Sequence, residues 1–154
     1  MATPNVSADL VWELVRNNNS YLVKRKEFGG VQFSRDPLNL TNVHSRKHAG
    51  FVNPKAIGIQ AAEKNGVKVI SKKVSAAQQP AKSTTEITHN GGQATRKLYK
   101  IVANQTAKSG YRPDLREAAV SRVSAIRQSQ REPKPTPEKK PRGAKAKKAA
   151  APES

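Results

Sequence analysis

The stretch that decides the architecture is residues 95–131, TRKLYKIVANQTAKSGYRPDLREAAVSRVSAIRQSQR. Its apolar positions follow helical spacing. Leu98, Ile101 and Val102 share one face of a helix expected over Thr95–Thr106, and Gly110 stops the run. Pro113 then opens a second helix at its first turn, with Asp114 favourable near the positive end of the dipole. On that helix Leu115, Ala118, Ala119, Val123 and Ile126 fall within one arc, while Arg116, Arg127 and Arg131 gather along a flank.

Upstream, the pattern switches from helix to strand. Ser7 is a plausible N-cap, Asp9 sits in the first turn, and Leu10, Val11, Leu14 and Val15 recur at helical spacing before Asn17-Asn18-Asn19 ends the element. Tyr21–Lys26 and Val31–Arg35 then read as paired strands joined by a Glu27-Phe28-Gly29-Gly30 turn, and Ala56–Gln60 and Val67–Lys72 as two more around an Asn65-Gly66 loop. The fold class is therefore α+β: a short N-terminal helix, a small antiparallel β-sheet, two C-terminal helices and a disordered basic tail. The divisions expected are a flexible N-terminus at 1–6, a β-rich body at 7–74, an exposed linker at 75–93, two basic helices at 94–130 and the tail at 131–154.

Composition limits what such a fold does. The 154 residues carry 29 Lys or Arg against 11 Asp or Glu, a formal charge of +18, with 35% hydrophobic residues, 5% aromatics and no cysteine. An apolar share this low leaves part of the chain without burial. The absence of cysteine excludes disulfides, thiolate metal sites and thiol nucleophiles. The tail holds eight basic and three acidic groups with five prolines and no large apolar side chain, so it accounts for +5 and leaves the body at +13. Fully extended, it would reach roughly 80 Å. Residues 1–20 contain Asp9 and Glu13 and no unbroken apolar run, so neither a signal peptide nor a membrane span is expected there. The four N-x-S/T sequons, at Asn5, Asn18, Asn39 and Asn104, then read as chance.

Motifs of catalysis are missing: no G-x-x-x-x-G-K-S/T, no G-x-G-x-x-G and no G-x-S-x-G occurs. His44 and His48 are four apart but lack a third ligand, and His89 reads as a loop histidine. What recurs is the basic cluster beside an ordered element: Lys24-Arg25-Lys26, Arg35, Arg46-Lys47-His48, Lys72-Lys73, Arg96-Lys97 with Lys100, and Arg112, Arg116, Arg122, Arg127 and Arg131. Between residues 87 and 131 nine basic groups face two acidic ones. Such a surface suits phosphates and predicts steep salt dependence. Tyr111 beside Arg112 is placed either to stack on an unpaired base or to pack where the helices meet. No catalysis, cofactor, metal, membrane or small-molecule substrate is expected; the partner is a polyanion, either rRNA or, in linker-histone style, chromatin.

Several stretches resemble the eukaryotic large-subunit ribosomal protein family L-twenty-eight-e. They are Leu10-Val11-Trp12-Glu13 with Arg16-Asn17 and Tyr21-Leu22-Val23-Lys24; Val31-Gln32-Phe33-Ser34; Asn39-Leu40 with Asn42, Ser45, Lys47-His48 and Gly50; and Ile59-Gln60-Ala61-Ala62. Most specific is Tyr111-Arg112-Pro113-Asp114-Leu115, followed by Ala118-Ala119, Arg122 and Ser124-Ala125-Ile126. The resemblance spans roughly residues 8–130. It implies a structural constituent of the cytosolic 60S subunit, bound to large-subunit rRNA and to neighbouring 60S proteins and assembled in the nucleolus. Import receptors are the partners implied in transit, with the Lys139–Lys148 run as the signal. A nucleolar 60S-assembly factor of related fold is the nearest competitor, but it typically carries cysteines and a long acidic continuation.

Overall fold

The computed structural model describes residues 6–27, 29–108, 110–136 and 142–144. The Lys139–Lys148 run falls largely outside them, as do residues 1–5 of the expected flexible N-terminus. The elements run α1 (Ala8–Val15), β1 (Leu22–Lys24), β2 (Gln32–Ser34), β3 (Ile57–Ala62), β4 (Gly66–Lys72), β5 (Thr84–His89), α2 (Thr95–Ala103) and α3 (Arg116–Ser129). The α+β class holds, with the strands in two antiparallel sheets: β1-β2, and β3-β4-β5.

Local chemistry explains the helix ends. Ser7 Oγ accepts the Leu10 amide, so α1 is capped as its sequence suggests. Asn19 Nδ2 donates to Val15 O and its Oδ1 accepts the Tyr21 amide, so one side chain both closes the helix and turns the chain into β1. α2 is shorter than expected because residues Asn104–Lys108 form a π-turn, in which the buried Thr106 hydroxyl donates to Val102 O at 2.7 Å. Pro113 starts a 3-10 turn, Pro113–Leu115, that leads into α3. Gly29 and Gly30, at φ of 79° and 78°, make the β1–β2 turn with a backbone that favours glycine.

The linker expected over 75–93 is corrected. Residues Thr84–His89 form β5, in register with β4 from Val67↔His89 to Lys72↔Thr84. The Thr-Thr-Glu-Ile-Thr-His stretch is an edge strand whose side chains are half-exposed or exposed, so it carries little of the apolar alternation that marks a strand. The two 3-10 turns before it, Val74–Ala76 and Pro80–Lys82, and the turn at residues 90–93 after it keep the character of a connection.

The body and the helices are also not separate units. α2 and α3 lie on one face of the three-stranded sheet, and a single core joins Ile57, Ile59, Val67 and Val69 to Leu98, Val102, Leu115, Ala119 and Val123. Tyr99, Tyr111, Ala118 and Ile126 pack around it, which matches the arc expected on α3. The opposite sheet face, with Gly58 and Ile70 paired across β3 and β4, is covered by the irregular chain between β2 and β3. That segment is held by buried polar side chains. Asp36 accepts the Leu38 and Phe51 amides, Asn39 bridges Thr41 N and Val43 O, and Asn53 donates to Ala49 O and Arg46 O.

Candidate nucleic-acid interface

The basic residues separate into two groups once their hydrogen bonds are followed. In the first, the charge is committed inside the fold. Lys72 points out of β4 on the side away from the helices, and its Nζ donates to the carbonyls of Gly50, Phe51 and Asn53 at 2.6, 3.3 and 3.0 Å. Burial lowers its pKa below the ordinary lysine value, opposed by the Asp36 carboxylate. The ammonium thus collects three carbonyls of one loop.

The Tyr111–Leu115 motif is likewise a latch. Tyr111 Oη donates to Lys72 O at 2.6 Å and accepts the Ala56 amide at 3.2 Å, joining the start of α3 to the ends of two strands. Burial raises its pKa despite these bonds and the nearby Arg112, so the phenol keeps the proton it donates. Arg112 reaches Lys47 O and Lys55 O and pairs with Asp114 through Nε and Nη2 at 2.9 and 2.8 Å. Its side chain is only 16% exposed, and it holds the Asp114 carboxyl below the usual carboxylate range. Arg127 donates to Asn65 O and Gly91 O, clamping the end of α3 to two turns. Arg46 pairs with Asp9 at 2.8 Å and with Asn53 Oδ1, tying α1 to the loop. Lys72, Tyr111, Arg112, Arg127 and Arg46, all expected as RNA contacts, thus make hydrogen bonds within the fold.

One consequence is directly measurable. Tyr111→Phe removes the partner of two inward-facing backbone groups and is expected to cost about 1–3 kcal/mol of stability, read as a lower urea midpoint, while RNA affinity of the folded protein stays unchanged. A base-stacking tyrosine would show the reverse: normal stability and weakened binding.

The second group is exposed and has no acidic partner among the described residues. Arg25, Lys26 and Arg35 surround the β1–β2 hairpin, with Lys24 also touching Asn17 O. Lys47 and Lys73 lie on loops, Arg96, Lys97 and Lys100 on the outer side of α2, and Arg116 and Arg131 at the two ends of α3. Lys108 extends the α2 set; the sequence clusters overlook it because it stands alone in the chain. Lys55 was overlooked for the same reason, and it lies 5.8 Å above the Tyr111 ring.

His48 and Arg122 occupy a third setting, a groove of about 520 Å³ that also involves Lys47, Asp114, Glu117 and Ser121. His48 Nδ1 and Arg122 Nε are buried there without hydrogen-bond partners. Burial, then Lys47 and Arg112, lower the His48 pKa, with Asp114 opposing, which favours the neutral imidazole. His44 is occupied structurally, its ring 5.0 Å from that of Trp12 and its Nε2 2.7 Å from Arg16 O. Among the described residues no group of three or more His, Asp or Glu is placed to hold a metal ion, and no helix is long and apolar enough to cross a membrane.

A family model described as the Ribosomal L28e protein family matches residues 10–129. The chain belongs to this family. Among curated relatives, the large ribosomal subunit protein eL28 of Schizosaccharomyces pombe is 44% identical over 134 residues, covering 86% of this chain and 98% of that protein. The eL28 proteins of Dictyostelium discoideum and Caenorhabditis elegans are 35% and 30% identical, covering 84% and 78% of this chain and 92% and 100% of their own lengths. The matched span of the L28e family includes both the Tyr111–Leu115 latch and the buried Asp36, Asn39 and Asn53 that shape the loop.

Proposed function

We propose that the chain is a non-enzymatic structural constituent of the large subunit of the cytosolic ribosome that binds large-subunit rRNA through distributed phosphate contacts. The observation that carries this reading is the set of exposed cations without acidic partners among the described residues: Lys24, Arg25, Lys26, Arg35, Lys47, Lys73, Arg96, Lys97, Lys100, Arg116 and Arg131. A folded surface with this imbalance repels itself in isolation, and a phosphate backbone relieves that repulsion while releasing counterions. Arg122 and His48 join them only as hydrogen-bond donors in their groove. The tail past Arg131 adds further positive charge and orders on the RNA, and its Lys139–Lys148 run serves import receptors before nucleolar assembly.

Family relatives named for the large subunit support the same partner. The test has two readouts. The tagged protein should sediment with large subunits and translating ribosomes in a sucrose gradient and resist a moderate salt wash; an assembly factor would be absent from translating ribosomes, and a chromatin binder would track nucleosomes. Replacing Arg96, Lys97 and Lys100 together by Gln should weaken binding to isolated rRNA fragments and reduce the salt slope by about 2–3. An unchanged slope would remove α2 from the interface.

A further inference from the structure

The β1–β2 hairpin has a face that the fold leaves uncovered. Its register pairs Val23 with Phe33, and an isolated bridge pairs Phe33 with Val43 in the following loop, so three apolar residues lie in a row across the hairpin and that loop. The Arg25 amide donates to Val31 O, extending the ladder by one step and placing Arg25 and Val31 on that same face. Arg35, two residues beyond Phe33, follows the same alternation. Ser34, between them, points the other way and is buried.

Phe33 is 43% exposed, with Val31 and Val43 similarly open, in a chain that contains only three phenylalanines. Phe33 forms part of a groove of about 680 Å³ lined also by Val23, Arg25, Ser34, Arg35, Thr41 and Asn42. The floor is apolar and partly aromatic, the two charged side chains are both guanidinium groups, and no acidic residue contributes. Asn42, held at φ 57° by the tight loop, brings an amide to the wall, with both a donor and an acceptor.

We propose that this groove takes one unpaired RNA base, stacked on the Phe33 ring, with Arg25 and Arg35 on its flanking phosphates. The proposal rests on the rRNA-binding reading above and adds to it a contact that is not phosphate alone. Only an unpaired base presents a free flat face, because bases within a duplex are covered by their neighbours and the A-form major groove admits no side chain. A protein side chain would fill the apolar floor equally well. It would leave two guanidinium groups over an apolar surface without an anion, whereas a nucleotide supplies flat ring and phosphate together. The arrangement escapes a linear reading because the platform is a lone aromatic between two arginines, without an adjacent aromatic partner in the strand.

The probe is an RNA duplex with one bulged adenosine, compared with the same duplex carrying an abasic site at the bulge and with an uninterrupted duplex. The full-length protein should prefer the bulged adenosine by about 5- to 100-fold. Phe33→Ala should abolish that preference while keeping duplex affinity and its salt slope, and Phe33→Tyr should retain it. Arg25→Gln should lower affinity for the bulged and uninterrupted duplexes alike. The stacking proposal is overturned if wild-type protein binds all three RNAs equally, or if Phe33→Ala leaves the preference intact; either result leaves the rRNA reading standing. Loss of binding to every RNA would instead overturn the rRNA reading, and this proposal with it. A photo-crosslinking benzophenone side chain at position 33, carried into assembled subunits, should label rRNA. Labelling of a neighbouring protein would assign the groove to that protein and overturn the proposal.

Discussion

Lys72→Met is expected to lower folding stability by about 2–4 kcal/mol, a large part of the margin of a domain this size. The reason is the geometry of the ammonium, which donates to three carbonyls of one loop. Methionine matches the length of the stem but offers no donor, so Gly50 O, Phe51 O and Asn53 O lose a shared charged partner, and Asp36 loses a nearby cation. Arginine would not substitute fully, since a planar fork cannot converge on three carbonyls as a tetrahedral ammonium does. Urea unfolding checks the magnitude, and amide exchange should show residues 47–54 losing protection first. If Lys72→Met were as stable as wild type and instead bound RNA more weakly, Lys72 would belong with the phosphate contacts.

Gly58→Ala should be comparably damaging, at about 2–4 kcal/mol. A Cβ at this buried position in β3 would collide with the Pro37 carbonyl and stand 3.1 Å from both Leu38 Cα and Cδ2. The obstacle is backbone rather than the end of a flexible side chain, so relief requires lifting the covering loop from the sheet. The glycine is required for close approach, since its own backbone conformation is ordinary. Gly92→Ala is the control: nothing lies within 4 Å of its added Cβ, and the change should fall within about 0.5 kcal/mol of neutral. A Gly58→Ala protein with an unchanged urea midpoint would mean that the loop does not rest on the sheet.

The helices were legible because each signal is local. Ser7 as cap, Pro113 as opener and the Leu115–Ile126 arc depend on residues a few positions apart, and all three reappear in the structure. β5 was not legible. Its polar and exposed side chains show no burial period, and it is a strand because β4 lends it a ladder of backbone hydrogen bonds. The candidate interface divides in the same way. Basic clusters announce that the protein carries excess charge, yet Lys72 and Lys73 are neighbours in sequence with opposite fates. One turns toward loop carbonyls and the other toward solvent. Strand alternation separates them, and only the paired sheet shows which side the loop covers.

Taken alone, the sequence determined the family, the α+β class, the sign of the partner's charge and the separation of a +13 body from a +5 tail. The family follows from similarity to known sequences, and the rest from composition and short-range spacing, which the chain carries before it folds. The tertiary structure decided which cations remain available. It turned Tyr111, Arg112 and Arg127 into a latch between α3 and the sheet and left Phe33 facing outward between Arg25 and Arg35. The physical reason is that a hydrogen-bond donor's role depends on whether a carbonyl lies within reach, and those carbonyls come from residues 36 to 65 positions away in the chain.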